Sequence, residues 1–242
     1  MLKKISTSLL LISLLSINVD GQTIEEIFGN YYKATGGINL WNQVKTYTLK
    51  QSYVSNAASD YNMEIKVSMA DLSIIKTKTI MKRNFITGMS PKDSFYKIPT
   101  GGTNQAVVYQ VKDLSEKEKV NMKREIFDLF APFYDYESKG YIATYVGLET
   151  MGAQKVHHIE LAGNKLKYDL YFNNTSGLLS KQIDNLPTSE QITKEFTAYS
   201  TSDFGIKYPA ESTYYSNIDK RNVKLSTIMI FNPVFNLNTF QR

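Results

Sequence analysis

The chain has 242 residues and no cysteine, which excludes a disulfide framework, thiol chemistry and lipid attachment through a cysteine. Its 28 basic and 23 acidic residues leave a net charge of +5, with no run of five or six basic residues and no recognisable nucleic-acid module, so the charges read as solvated faces. A hydrophobic content of 42%, with 17 tyrosines against one tryptophan, supports a real core edged by half-buried rings and argues against disorder.

Lys3 and Lys4, the apolar run Ile5 to Ile17 and the segment Val19-Asp20-Gly21 read as an export signal over residues 1–21, cut between Gly21 and Gln22. A retained membrane anchor is the alternative, but the run falls short of the roughly 20 apolar residues a spanning helix needs. Residues 22–242 then carry 26 basic and 22 acidic residues, a net charge of +4. Their length fits one β-rich domain, since sandwiches and barrels often run undivided to about 200–250 residues. Export without disulfides fits a bacterial periplasm, where a domain of this size is stable without covalent staples.

A helix opens this domain. Thr23 and Glu26 form a capping-box pattern, Ile24, Ile27, Phe28 and Tyr31 share one helical face, and Gly36-Gly37 stops the run. Ile38 to Val44 is expected to form a second short helix carrying Leu40 and Trp41. From Lys45 onward the period changes to two. Met63, Ile65, Val67 and Met69 alternate with Glu64, Lys66 and Ser68, and Leu166, Tyr168, Leu170 and Phe172 oppose Lys165, Lys167 and Asp169. Val223, Leu225, Met229 and Phe231 give a late strand the same one-sided character, expected of antiparallel sheets with one wet face. Turn signals at Ser90-Pro91-Lys92-Asp93, Ala162-Gly163-Asn164, Asn173 to Gly177 and Asp184 to Pro187 favour short meandering connections. One helix interrupts the strands: Ser115 and Glu118 form a second capping-box pattern, Met122, Ile126, Leu129, Phe130 and Phe133 fall at helical spacing, and Pro132 ends it.

Catalytic and metal patterns do not stand out. His157 and His158 are neighbours on a strand and point to opposite faces, so they cannot share a metal. Gly88-Met89-Ser90-Pro91-Lys92 lacks the last glycine of a nucleophile elbow and reads as a turn, and Gly101-Gly102 reads as a plain loop. Asn173-Asn174-Thr175-Ser176 carries overlapping glycosylation patterns but reads better as a turn. Dispersed carboxylate pairs leave a hydrolase open as a reading, with nothing singling one out. The apolar stripe on the Ser115 helix is either core packing against the sheet or a lid over an apolar cavity.

The order of these segments resembles the exported bacterial proteins related to outer-membrane lipoprotein-sorting proteins, the LolA/LolB-like superfamily. The likeness runs from about Thr23 to Phe240 and rests on six stretches: Ile27 to Gly37, Leu40 to Thr46, Ile86-Thr87-Gly88 through Phe95 to Pro99, Asp169 to Lys181, Phe204 to Pro209 and Phe235 to Phe240. The family's usual Asp-Gly-Lys turn with a following tryptophan is replaced by Ser90 to Phe95, and its Lys-Arg-Pro appears as Met69-Ala70-Asp71. The resemblance implies a mainly β (α+β) fold: a strongly curved, incomplete antiparallel β-barrel of about eleven strands, with covering helices and an apolar cavity between them.

It also implies a non-enzymatic carrier or binding protein, without cofactor or metal. Its expected ligand is a hydrophobic small molecule, a lipid or the acyl group of a lipoprotein. The expected location is the periplasm, with transient membrane contact peripheral to the outer membrane and an envelope protein as a further partner. The residues expected to line or cover the site are Ile27, Phe28, Tyr31, Trp41, Ile126, Phe127 and Phe130, backed by Ile65, Val67 and Met69. Two rivals remain open: an envelope interaction module with a filled barrel, and a carboxylate-dependent hydrolase.

Overall fold

The structure is a computed structural model that describes residues 22–57, 60–101, 106–236 and 238–242. The expected export signal lies outside the described residues. Two short helices, α1 (Ile24–Ala34) and α2 (Ile38–Trp41), precede the strands β1 (Thr46–Val54), β2 (Tyr61–Ser68), β3 (Ser73–Ile80), β4 (Arg83–Met89), β5 (Ser94–Thr100) and β6 (Val108–Asp113). Helix α3 (Glu116–Asp128) follows. The chain then returns through β7 (Ile142–Met151), β8 (Gln154–Gly163), β9 (Leu166–Asn173), β10 (Leu179–Asn185), β11 (Gln191–Thr201), β12 (Lys207–Ser216) and β13 (Asn222–Phe231).

All described strands belong to one open sheet of thirteen, ordered β6-β5-β4-β3-β2-β1-β13-β12-β11-β10-β9-β8-β7. The count corrects the expected eleven. Each half is a simple antiparallel meander, and the long-range pairing of β1 with β13, for example Leu49 opposite Met229, fuses the halves. Right-handed twist accumulates over so many strands, and bulges near Gly147, Leu179 and Ala198 bend the second half further, so the sheet curls without closing.

This topology explains where α3 lies. Strands β6 and β7 are consecutive in sequence but occupy opposite edges of the sheet, so their connection must cross the open side. Its apolar stripe, with Met122 and Ile126 buried, closes over the concave face against β3 and β4. Ser115 and Glu118 complete the capping box there, as Thr23 and Glu26 do on α1.

Local boundaries differ from the sequence reading at three places. Helix α2 stops at Trp41, because Gln43 and Val44 close tighter turns onto Leu40 and Trp41. Helix α3 ends at Asp128, a turn ahead of Pro132, whose ring disfavours helical backbone at Ala131. Strand β2 ends at Ser68, so Met69 lies in a turn, and Ser68 is buried with its hydroxyl donating to Asp71 at 2.7 Å instead of facing water.

Glycines mark two close approaches. A Cβ at Gly88 would stand 2.5 Å from the Phe95 ring on the neighbouring strand, so the glycine leaves room for that fully buried ring. Gly36, at φ +114°, lies where a Cβ would meet the Gly205 carbonyl at 2.7 Å, and Lys207 N donates to Thr35 O at 3.0 Å, docking the end of α1 on the turn before β12.

Candidate functional site

The space enclosed between the sheet and its roof is a cleft of about 280 Å³. Strand alternation builds its floor. Leu49, Gln51 and Tyr53 on β1 point inward at period two, as do Leu225, Thr227 and Met229 on β13 and Ile192, Lys194 and Phe196 on β11. The roof is the C-terminal turn of α3 and the segment after it, with Arg124, Asp128, Leu129 and Phe130 facing the cleft.

Most of the sequence-named residues lie outside the lining of this space. Ile27, Phe28, Tyr31, Trp41, Ile65, Val67, Ile126 and Phe130 are buried in the core, while Met69 and Phe127 are partly buried against it. Their rings form a continuous packed chain: Phe28 on Phe133 at 5.2 Å, Phe133 on Tyr31 at 5.0 Å, Tyr31 on Trp41 at 5.7 Å and Trp41 on Phe130 at 4.6 Å. Edge-to-face and offset contacts of this kind stabilise beyond simple burial. Tyr31 and Phe130 also reach the cleft. Trp41 donates its indole N–H to Thr35 Oγ1 at 3.1 Å, so the sole tryptophan is satisfied inside the cluster.

Beneath the roof the cleft has a polar band that the sequence reading missed. Gln182 donates to Asp184 at 2.6 Å, and Lys194 donates to the other oxygen of Asp184 at 2.9 Å. Gln182, Asp184 and Ser212 are each less than a tenth exposed. Gln182 and Asp184 share the inner face with Leu179 because the bulge between Leu179 and Lys181 shifts the alternation by one residue, which period two read along β10 does not show.

A second polar cluster pins the roof. Asp128, 8% exposed, accepts from Tyr141 at 2.7 Å and Tyr168 at 2.8 Å, and Lys139 Nζ stands 3.3 Å from its other oxygen. Arg124 donates to Tyr168 at 2.7 Å, Lys76 pairs with Glu125 at 2.5 Å, and Tyr47 donates to the Ile126 carbonyl at 2.8 Å. Burial, reinforced by the Asp128 charge, holds the Tyr168 phenol far above its ordinary pKa; burial pulls Lys139 down, against the opposing pull of Asp128. The roof is thereby tied to β1, β3 and β9 at once.

The histidines separate as alternation requires. His157 is held inside between Tyr145 at 3.2 Å and Asn174 at 2.7 Å, whereas His158 lies outside between Glu149 at 2.7 Å and Asp169 at 3.2 Å. Asn173 Oδ1 accepts from the backbone of Thr175 and Ser176, making the segment the expected turn. Among the described residues no helix is long and apolar enough to cross a membrane.

No protein-family model matches the chain, and no curated protein matches it significantly in sequence. Solved structures do match in shape. A protein described as an outer-membrane lipoprotein-sorting domain, from Vibrio parahaemolyticus, superimposes at a TM-score of 0.50 and 12% identity, over 81% of this chain and 88% of its own. A LolA superfamily protein from Nitrosomonas europaea gives 0.49 and 13% over the same shares. The open, curled antiparallel sheet is thus a fold shared with the Vibrio parahaemolyticus domain.

Proposed function

We propose that this chain is an exported, non-enzymatic binding or carrier protein of the bacterial periplasm, working as a single domain over residues 22–242 after loss of residues 1–21. Its ligand is hydrophobic: a lipid, or the acyl group of a lipoprotein. The observation that carries this reading is the cleft between the sheet and α3, whose Leu49, Phe196, Leu225 and Met229 offer apolar wall to an alkyl chain. Each methylene sheltered there gains roughly 0.8 kcal/mol, enough for a short chain to offset the cost of an unfilled space. The fold likeness to a lipoprotein-sorting domain supports the same reading at the level of architecture.

The test is native mass spectrometry of protein purified from its own envelope, with uptake of a fluorescent fatty acid by the delipidated protein. Co-purified lipid or saturable uptake is expected; absence of both overturns the reading. The packed rings from Phe28 to Phe130 favour a second reading, an envelope interaction module with a largely filled interior. That reading requires a protein partner recovered by crosslinking in the envelope and no uptake of lipid.

A further inference from the structure

Arg124 is the cation of the cleft whose two carboxylate neighbours, Asp128 and Glu125, each have a lysine closer than its own guanidinium. The charged residues lining the space are Arg124, Glu125, Asp128, Asp184 and Lys194. Each of the carboxylates is matched by a lysine: Glu125 by Lys76 at 2.5 Å, Asp128 by Lys139 at 3.3 Å and Asp184 by Lys194 at 2.9 Å. Arg124 is left over, sharing Asp128 at 3.5 Å through Nη1, the nitrogen that also donates to Tyr168.

The guanidinium donates its hydrogen bond to Tyr168 through Nη1. Its Nε is buried without an acceptor, and its Nη2 stands 4.0 Å from Glu125, beyond hydrogen-bond reach. Nε–H and the adjacent Nη2–H are the parallel pair of donors that an arginine presents side-on to a carboxylate. A buried N–H without an acceptor is rare in folded proteins and calls for one. The cleft is also small: about 280 Å³ falls just below the roughly 300–1,000 Å³ typical of ligand pockets, which favours one chain over two.

From these observations we infer that the cleft selects a single-chain amphiphile with a monoanionic carboxylate head, of the fatty-acid class, its carboxylate held by the Nε–Nη2 edge of Arg124 and its chain against Leu225 and Met229. This rests on the binding reading above and narrows it. The Arg124 side of the roof is then the recognition end and the apolar wall the tail end of one site.

The experiment compares dodecanoate, dodecanol and didodecanoylglycerol by displacement of a fluorescent probe from the full-length mature chain at neutral pH. Dodecanoate is expected to bind at least 10-fold more tightly than dodecanol, and didodecanoylglycerol more weakly than either. Arg124→Gln should bring dodecanoate and dodecanol to equal affinity, and Arg124→Lys should recover only part of the difference, because a lysine keeps the charge without the fork. Equal binding of dodecanoate and dodecanol to the unmodified protein overturns the inference while leaving the binding reading standing; no binding of any probe overturns both. Should Arg124→Gln fail to fold, carboxyl-labelled dodecanoate followed by carbon NMR on the unmodified protein decides: its pKa is expected to fall on binding, and an unchanged or raised value overturns the assignment.

Discussion

Tyr168, on strand β9, donates its phenolic proton to Asp128, the last residue of α3, at 2.8 Å. The bond joins the inner wall of the sheet to the roof, and Arg124 donating to the same phenol makes it one link of a buried chain.

Removing parts of this link should cost stability in a fixed order. Tyr168→Phe loses a hydrogen bond to a charged group and is expected to cost about 1.5–3 kcal/mol. Asp128→Ala leaves two phenols, Arg124 and Lys139 without their shared anion and is expected to cost about 3–5 kcal/mol. Urea unfolding of both variants checks this; a smaller loss for Asp128→Ala than for Tyr168→Phe would contradict the geometry.

The Gly88 position should refuse a methyl group. Gly88→Ala sets a Cβ against a ring that is fully buried and cannot retreat, and overpacking of this kind costs about 1–3 kcal/mol. The paired change Gly88→Ala with Phe95→Leu is expected to recover part of the loss, and a thermal melt of each protein measures it.

Trp41 reports on the aromatic cluster because it is the only tryptophan. Thr35→Val removes the acceptor of its indole N–H inside the core and should destabilise by about 1–3 kcal/mol. Fluorescence emission should stay blue in the folded variant and move red in a single transition on unfolding. A folded variant with red-shifted emission would show that the ring is not enclosed.

Alkaline stability follows from the buried phenols. Burial raises the pKa of Tyr31, Tyr47, Tyr53 and Tyr168, and raises Tyr61 from 10.0 to about 12, with Asp219 and Glu190 adding to the rise. Raised folded values mean that the stabilisation is fully present below the unfolded pKa near 10 and is lost as pH rises beyond it through the folded values. Ultraviolet absorbance of tyrosinate should therefore lag behind free tyrosine and then rise together with unfolding. A gradual titration centred on pH 10 with the fold intact would refute it.

Filling the cleft separates binding from folding. Met229→Trp places a larger side chain in the apolar wall and is expected to reduce fatty-acid uptake at least 10-fold, with a folded circular-dichroism spectrum retained. Unchanged uptake would place the ligand elsewhere.

Much of this molecule is local, and what is local is legible in the chain. Thr23 with Glu26 and Ser115 with Glu118 cap their helices because a side chain three residues away reaches the free backbone N–H in any helix start. The alternation of Leu166, Tyr168, Leu170 and Phe172 marks a one-sided strand wherever that strand finally pairs. The glycine and aromatic of Gly88 and Phe95, read as a family trait, are one packing unit with a steric cause.

Tertiary structure alone decided the rest. The pairing of β1 with β13 joins residues such as Tyr47 and Phe231 that no short-range rule brings together, and only that pairing puts β6 and β7 on opposite edges and sends α3 across the opening. The number of strands, the position of the roof and the content of the cleft all follow from it. Inward direction is a matter of register, since a slip of one residue turns every side chain to the other face, so Gln51, Asp184 and Lys194 become a polar band only once the ladder is set. Residues that look like a cavity lining in sequence, Phe28 and Trp41 among them, pack on one another because the curl of the sheet brings α1 and the segment after α3 to the same place.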